Sequence, residues 1–152
     1  DAVLESQNCG IVLMHMQRDP QTMQFDPNYE HVVQEVQAFL LERAAIIEEA
    51  GVDPQRIAID PGFGFGKSLE DNYQLLAHMG AFVEHGYPVL AGLSRKSMLG
   101  KVTNLEVGER LLPSIAAAIL AVERGAMIVR THDVPETVSA LQVWQATKEQ
   151  ST

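Results

Sequence analysis

Four short apolar runs punctuate the chain: Ile11 to Met14, Ile57 to Ile59, Val89 to Leu93 and Met127 to Val129. Each is continuous rather than alternating, the pattern of strands covered on both faces in a parallel sheet. Segments of helical period separate them. Val33, Val36, Leu40, Ala44 and Ile47 step by three or four, share one helix face and predict a stop near Gly51. Ser68 followed by Asp71 is a capping-box-like start for a second helix through Tyr73, Leu75, Leu76 and Met79. Leu111 to Val122 is apolar around most of its circumference, broken by Ser114, which predicts a helix buried on more than one side and ending at Gly125. Pro135 suits a first turn, and Val138, Leu141 and Trp144 lie on the stripe of a last helix. The result is four consecutive βα units forming one domain, residues 1–152, with no low-complexity linker. Successive units of this kind need right-handed crossovers, giving either an open doubly wound sheet or part of a (β/α)8 barrel. Both place active sites at the carboxyl ends of strands.

Composition narrows the partners. With 11 Lys and Arg against 20 Asp and Glu, the formal charge of -9 repels phosphate backbones and anionic lipid, so neither nucleic acid nor membrane is an expected partner. The lone Cys9 cannot form an internal disulfide, which suits a reducing compartment and makes the cytoplasm the expected location. Its apolar flank, Gly10 to Val12, predicts a buried structural thiol. A first residue of Asp1 rather than Met, with a strand pattern soon after, suggests a piece of a longer chain.

The strand ends carry the chemistry. They read Met14-His15-Met16-Gln17, Asp60 to Lys67 (DPGFGFGK), Ser94-Arg95-Lys96-Ser97 and Arg130-Thr131-His132-Asp133. Lys96, Arg130 and His132 concentrate donors and positive charge in an acidic protein, which points to an anionic ligand. Ser97 stands where the third loop turns toward helix, so its hydroxyl and nearby amides can meet an oxyanion. Asp60 ends a buried strand, and its carboxylate can accept two parallel N–H bonds from an amidine-like edge such as a 2-amino-pyrimidinone. The plainer alternative for Asp60 is a helix or loop cap. The glycine run is not a nucleotide P-loop, because Pro61 stands where that pattern needs glycine. Gly62, Gly64 and Gly66 instead permit turns that bring Phe63 or Phe65 near a planar ligand. Met14, His15 and Met16 alternate along a strand and do not form a metal site. His31, His78 and His85 receive no role.

At these residues the chain resembles the dihydropteroate synthases. The matching elements are LMHMQ with PxTMQ (Leu13 to Gln17, Pro20 to Gln24), DPGFGFGK, GLSRKSMLG (Gly92 to Gly100) and R-x-HDV (Arg130 to Val134). The resemblance implies a (β/α)8 barrel, here its carboxyl-terminal half, in an enzyme of folate biosynthesis. That enzyme joins 6-hydroxymethyl-7,8-dihydropterin diphosphate to 4-aminobenzoate and releases diphosphate; a non-catalytic pterin- or anion-binding module is the alternative. It further implies that Asp60, Lys96, Met14, Phe65 and Gly92 bind pterin. Arg130 and His132 would hold diphosphate, Ser97 would receive aminobenzoate, and Lys96, Arg130 and His132 would carry the catalysis. Magnesium is the implied cofactor, although the family's associated Asn lies in a first-half loop with no counterpart here. Sulfonamide sensitivity belongs to the family as well. Late helices, including Leu111 to Val122, form the family's homodimer contact. Four strands cannot close a barrel, so either self-association or marginal stability in isolation is a further expectation, with little or no turnover from this half alone. The departures are Arg18 and Thr131, where Gly and Val are usual, and Pro113-Ser114 in place of Gly-Ser.

Overall fold

A computed structural model describes residues 9–17 and 28–150. Pro20 to Gln24 and Arg18 lie outside the described residues. Four parallel strands, β1 (Ile11–Met14), β2 (Ile57–Asp60), β3 (Leu90–Ala91) and β4 (Ile128–Val129), stand side by side in chain order. β1 pairs with β2 from Ile11 opposite Ile57 to Met14 opposite Asp60. A single bridge between Ile59 and Val89 joins this pair to β3 and β4.

The helices are α1 (Val32–Glu49), α2 (Leu69–Ala77), α3 (Gly80–Val83), α4 (Ser97–Thr103), α5 (Leu111–Glu123) and α6 (Val134–Glu149). The predicted stripe of α1 is buried at Val36, Leu40 and Ala44, and the helix ends before Gly51, whose φ of 98° is a glycine conformation. At α2 the capping box is complete: Asp71 N donates to Ser68 Oγ at 3.1 Å and Ser68 N to Asp71 Oδ2 at 2.8 Å. The run to Met79 is not one helix; it pauses after Ala77 and resumes as α3. Phe63, Leu75, Met79, Phe82 and Val89 join the α1 stripe in a single core between helices and sheet.

Three expectations change. Coverage on both faces holds for β2, buried at every position, and for β3, but Val12 of β1 is 48% exposed and Ile128 of β4 is 40% exposed. These are the outer strands of the described sheet, each with one paired flank among the described residues. α5 is not buried all round, for Leu112 is 75% exposed while Ser114, Ala117, Ala118 and Ala121 face inward. Its small residues take the buried face, Leu112 and Leu120 turn outward, and Leu111, Ile115, Ile119 and Val122 are half-buried. Cys9 is exposed rather than buried. It precedes β1 at the surface, where its carbonyl accepts from Arg56 Nε at 3.0 Å.

Candidate functional site

Asp60, the last residue of β2, is 1% exposed. Its Oδ1 accepts from Gly62 N at 2.8 Å, and its Oδ2 lies 3.4 Å from Arg130 Nη2, across 70 residues of sequence. One oxygen thus caps the loop and the other faces Arg130, and each keeps lone-pair capacity for a further donor. Burial raises the Asp60 pKa above the ordinary carboxylate value, opposed by the Gly62 bond and by Arg130, Lys96 and Lys67. A buried carboxylate of this kind gains from any pair of donors that replaces its lost water.

Arg130 follows β4 with its side chain 55% exposed. Gly92 makes room for it: a Cβ at position 92 would stand 2.7 Å from Arg130 Nη2. Lys96 reaches the glycine loop from the other side. Its Nζ lies 4.0 Å from the centroid of the Phe65 ring, a cation–π contact, and a Cβ on Gly64 would meet Lys96 Cδ at 3.1 Å. Burial first, then Arg130, lowers the Lys96 pKa. Phe63 is fully buried in the core, so of the two candidate aromatics Phe65 is the one at the rim. Met14 sits level with Asp60 in the β1–β2 register.

The structure therefore draws Asp60, Arg130, Lys96, Phe65 and Gly92 together. His132 is held separately, by Ser94: the Ser94 hydroxyl accepts from His132 N at 3.1 Å and lies 2.9 Å from Nδ1, leaving Nε2 as the ring's other hydrogen-bonding atom. Ser97 is exposed at the first turn of α4, one residue after Lys96. The loop between β3 and α4 is built around Arg95, which has φ 58°, an uncommon conformation for an arginine. Three partner residues hold it there. Arg95 Nε and Nη2 donate to Asp133 at 3.1 and 2.5 Å, Arg95 N donates to Ser114 Oγ at 2.9 Å, and Arg110 Nη1 donates to Arg95 O at 3.1 Å. The hydroxyl of Ser114, which the sequence presents as a break in an apolar helix, is thus a loop anchor. Thr131 has a comparable use: its Oγ1 accepts from Asp133 N at 3.3 Å at the start of α6.

Sequence patterning assigns Lys67 no role of its own and sets His15 aside as a metal ligand, yet the structure pairs them. Lys67 Nζ donates to the carbonyls of Gly62 (2.9 Å) and Phe65 (3.0 Å) and lies 3.0 Å from His15 Nδ1. His15 is buried against Phe39, edge to face at a centroid distance of 4.9 Å. Burial and the neighbouring Lys67 push the His15 pKa down to about 4, so the imidazole is neutral at neutral pH. The only signal in the sequence was the position of Lys67 immediately after the glycine run.

The described rim does not suit magnesium. Asp60 already binds Gly62 and faces Arg130, the other charged groups gathered with it are cations, and among the described residues no three His, Cys, Asp or Glu side chains cluster as ligands. No helix among the described residues is long and apolar enough to cross a membrane.

The profile of a family described as pterin binding enzyme matches residues 2–132. The chain belongs to the pterin-binding enzyme family. It is 52% identical over 137 residues to the dihydropteroate synthase of Haemophilus influenzae, covering 90% of this chain and 50% of that protein. It is 47% identical over 137 residues to the Escherichia coli dihydropteroate synthase, covering 90% of this chain and 49% of that one. Among solved structures, the Xanthomonas albilineans dihydropteroate synthase in complex with 7,8-dihydropteroate superposes with a TM-score of 0.89 at 50% identity, covering 97% of this chain and 53% of that one. The Yersinia pestis dihydropteroate synthase in a sulfonamide drug complex gives 0.90 at 40% identity, covering 93% and 52%. The chain thus spans about half the length of the relatives it matches. Its four parallel βα units form half of a (β/α)8 barrel, which decides between the two architectures left open by periodicity.

Proposed function

We propose that this chain supplies the pterin and diphosphate side of a dihydropteroate synthase site. The observation that carries the reading is the buried carboxylate of Asp60 at a strand's carboxyl end, with one oxygen turned to Arg130. In this reading Asp60 accepts two N–H bonds from the pterin edge, Lys96 and Phe65 cover the ring, and Met14 and Gly92 line the pocket. Arg130 and His132 take the diphosphate, and Ser97 meets the aminobenzoate. The reaction breaks the bond between the pterin methylene carbon and a diphosphate oxygen, whose electron pair leaves with the diphosphate. The arylamine nitrogen of 4-aminobenzoate bonds to that carbon and gives up a proton. Arg130, Lys96 and His132 lower the barrier by stabilising the departing anion, the term that commonly dominates such catalysis.

Arg130→Ala separates the two halves of the ligand. Calorimetry is expected to show weaker binding of the dihydropterin diphosphate, by roughly 10- to 100-fold for a lost charge-assisted pair. Affinity for a dihydropterin lacking diphosphate should stay within a few fold. Equal losses for both ligands would remove the diphosphate role. A chain that binds the pterin diphosphate but forms no dihydropteroate on addition of 4-aminobenzoate would be a binding module instead.

The outer strands extend the proposal to self-association. β1 and β4 each have one paired flank among the described residues, and each exposes an apolar residue, Val12 and Ile128. Light scattering at low micromolar concentration should give a mass at least twice that of the chain. A stable monomer would contradict this.

A further inference from the structure

Lys67 ends the glycine loop and folds back beneath it. Besides the carbonyls of Gly62 and Phe65 and the Nδ1 of His15, its Nζ lies 3.4 Å from the carbonyl of His15. An ammonium has three donors, so the contacts at 2.9, 3.0 and 3.0 Å exhaust it. These acceptors belong to two separate pieces of chain, the loop after β2 and the end of β1. His15 is itself fixed by burial against Phe39, which makes it a firm anchor. The two loop residues held are those that matter to the rim: Gly62 N donates to Asp60, and the Phe65 ring carries Lys96.

We propose that Lys67 is a positioning residue of the pterin pocket, clamping the carbonyls of Gly62 and Phe65 to His15 so that the loop presents Asp60 and Phe65 in binding geometry. The pocket is the one in the reading above, on which this inference rests; the clamp can be judged without it. The charged groups that act on Lys67 are Asp60 and Asp71, which favour the ammonium, and Lys96, which opposes it. Burial outweighs them and brings its pKa down to about 7. A side chain kept there for packing alone would be better replaced by an apolar one of similar length, whereas a clamp needs donors.

The test measures two quantities on wild type, Lys67→Met, Lys67→Arg and Asp60→Ala. One is amide hydrogen exchange over residues 62–66 and over α2, and the other is calorimetric affinity for a dihydropterin diphosphate. Lys67→Met is expected to exchange the loop amides at least ten times faster with α2 unchanged, and to bind at least ten times more weakly. Lys67→Arg keeps a permanent charge and several donors and should recover part of both. Asp60→Ala should lose binding while keeping protection at residues 63–66, the Gly62 amide alone losing its acceptor. Unchanged loop exchange in Lys67→Met would overturn the clamp, as would an arginine variant no better than methionine. Faster exchange with unaltered affinity would overturn the positioning role. Wild type that binds no pterin would sink the reading above, and the exchange comparison would still decide the clamp.

Discussion

Asp60→Ala is expected to abolish measurable binding of a dihydropterin diphosphate while leaving a folded chain. The carboxylate offers two acceptors to the pterin edge, and hydrogen bonds to a charged group are each worth about 1.5–3 kcal/mol. Loss of both corresponds to roughly a hundred-fold to ten-thousand-fold in affinity. The effect on the fold is opposed by two changes of opposite sign. Gly62 N loses its 2.8 Å acceptor, but an acid whose pKa is raised by burial is also removed from the interior. Calorimetry beside a thermal melt distinguishes these. Binding within a few fold of wild type would show that the pterin edge does not meet Asp60. Asp60→Asn is the informative companion, because it can keep the Gly62 bond while giving up one acceptor and the charge.

The second large effect is on stability. Gly62→Ala should destabilise the chain by about 3–5 kcal/mol, at the upper end for single substitutions. The residue has φ 72°, which an alanine adopts only under strain, and a Cβ there would lie 1.8 Å from the His15 carbonyl oxygen. That oxygen belongs to main chain at the end of β1, so relief requires the strand and the loop to part. The same shift would pull the Gly62 carbonyl away from Lys67. Urea unfolding gives the measurement, and a loss below about 1 kcal/mol would mean that the loop adapts without moving β1.

The elements most legible in the sequence are those whose environment is uniform. β2 is buried at every position and reads as one apolar run, and α1 has a helix face that repeats without interruption. The outer strands read the same way and are not, because apolar runs report what a residue can tolerate and not which neighbour arrives. Asp60, Arg130 and Lys96 were visible as charges at strand ends, and at Asp60 burial would otherwise select against one. Gly92 was visible only as a pocket residue; that it clears space for Arg130 needs two strands in their final places. Lys67 was hidden for a different reason. Two of its closest partners are carbonyl oxygens, which every residue has, so no choice of side chain marks them. Cys9 was misread because its apolar neighbours belong to the strand and the thiol lies ahead of it.

The grip of Asp133 on Arg95 joins the loop after β3 to the loop after β4. Lys96 sits on one side of that joint and His132 on the other, and Ser94 adds a second tie between the same loops. Lys96 and His132 are therefore spaced by the folded chain itself. A ligand that seats on one loop meets the other already in register, and the entropy of bringing them together is spent during folding rather than at each encounter.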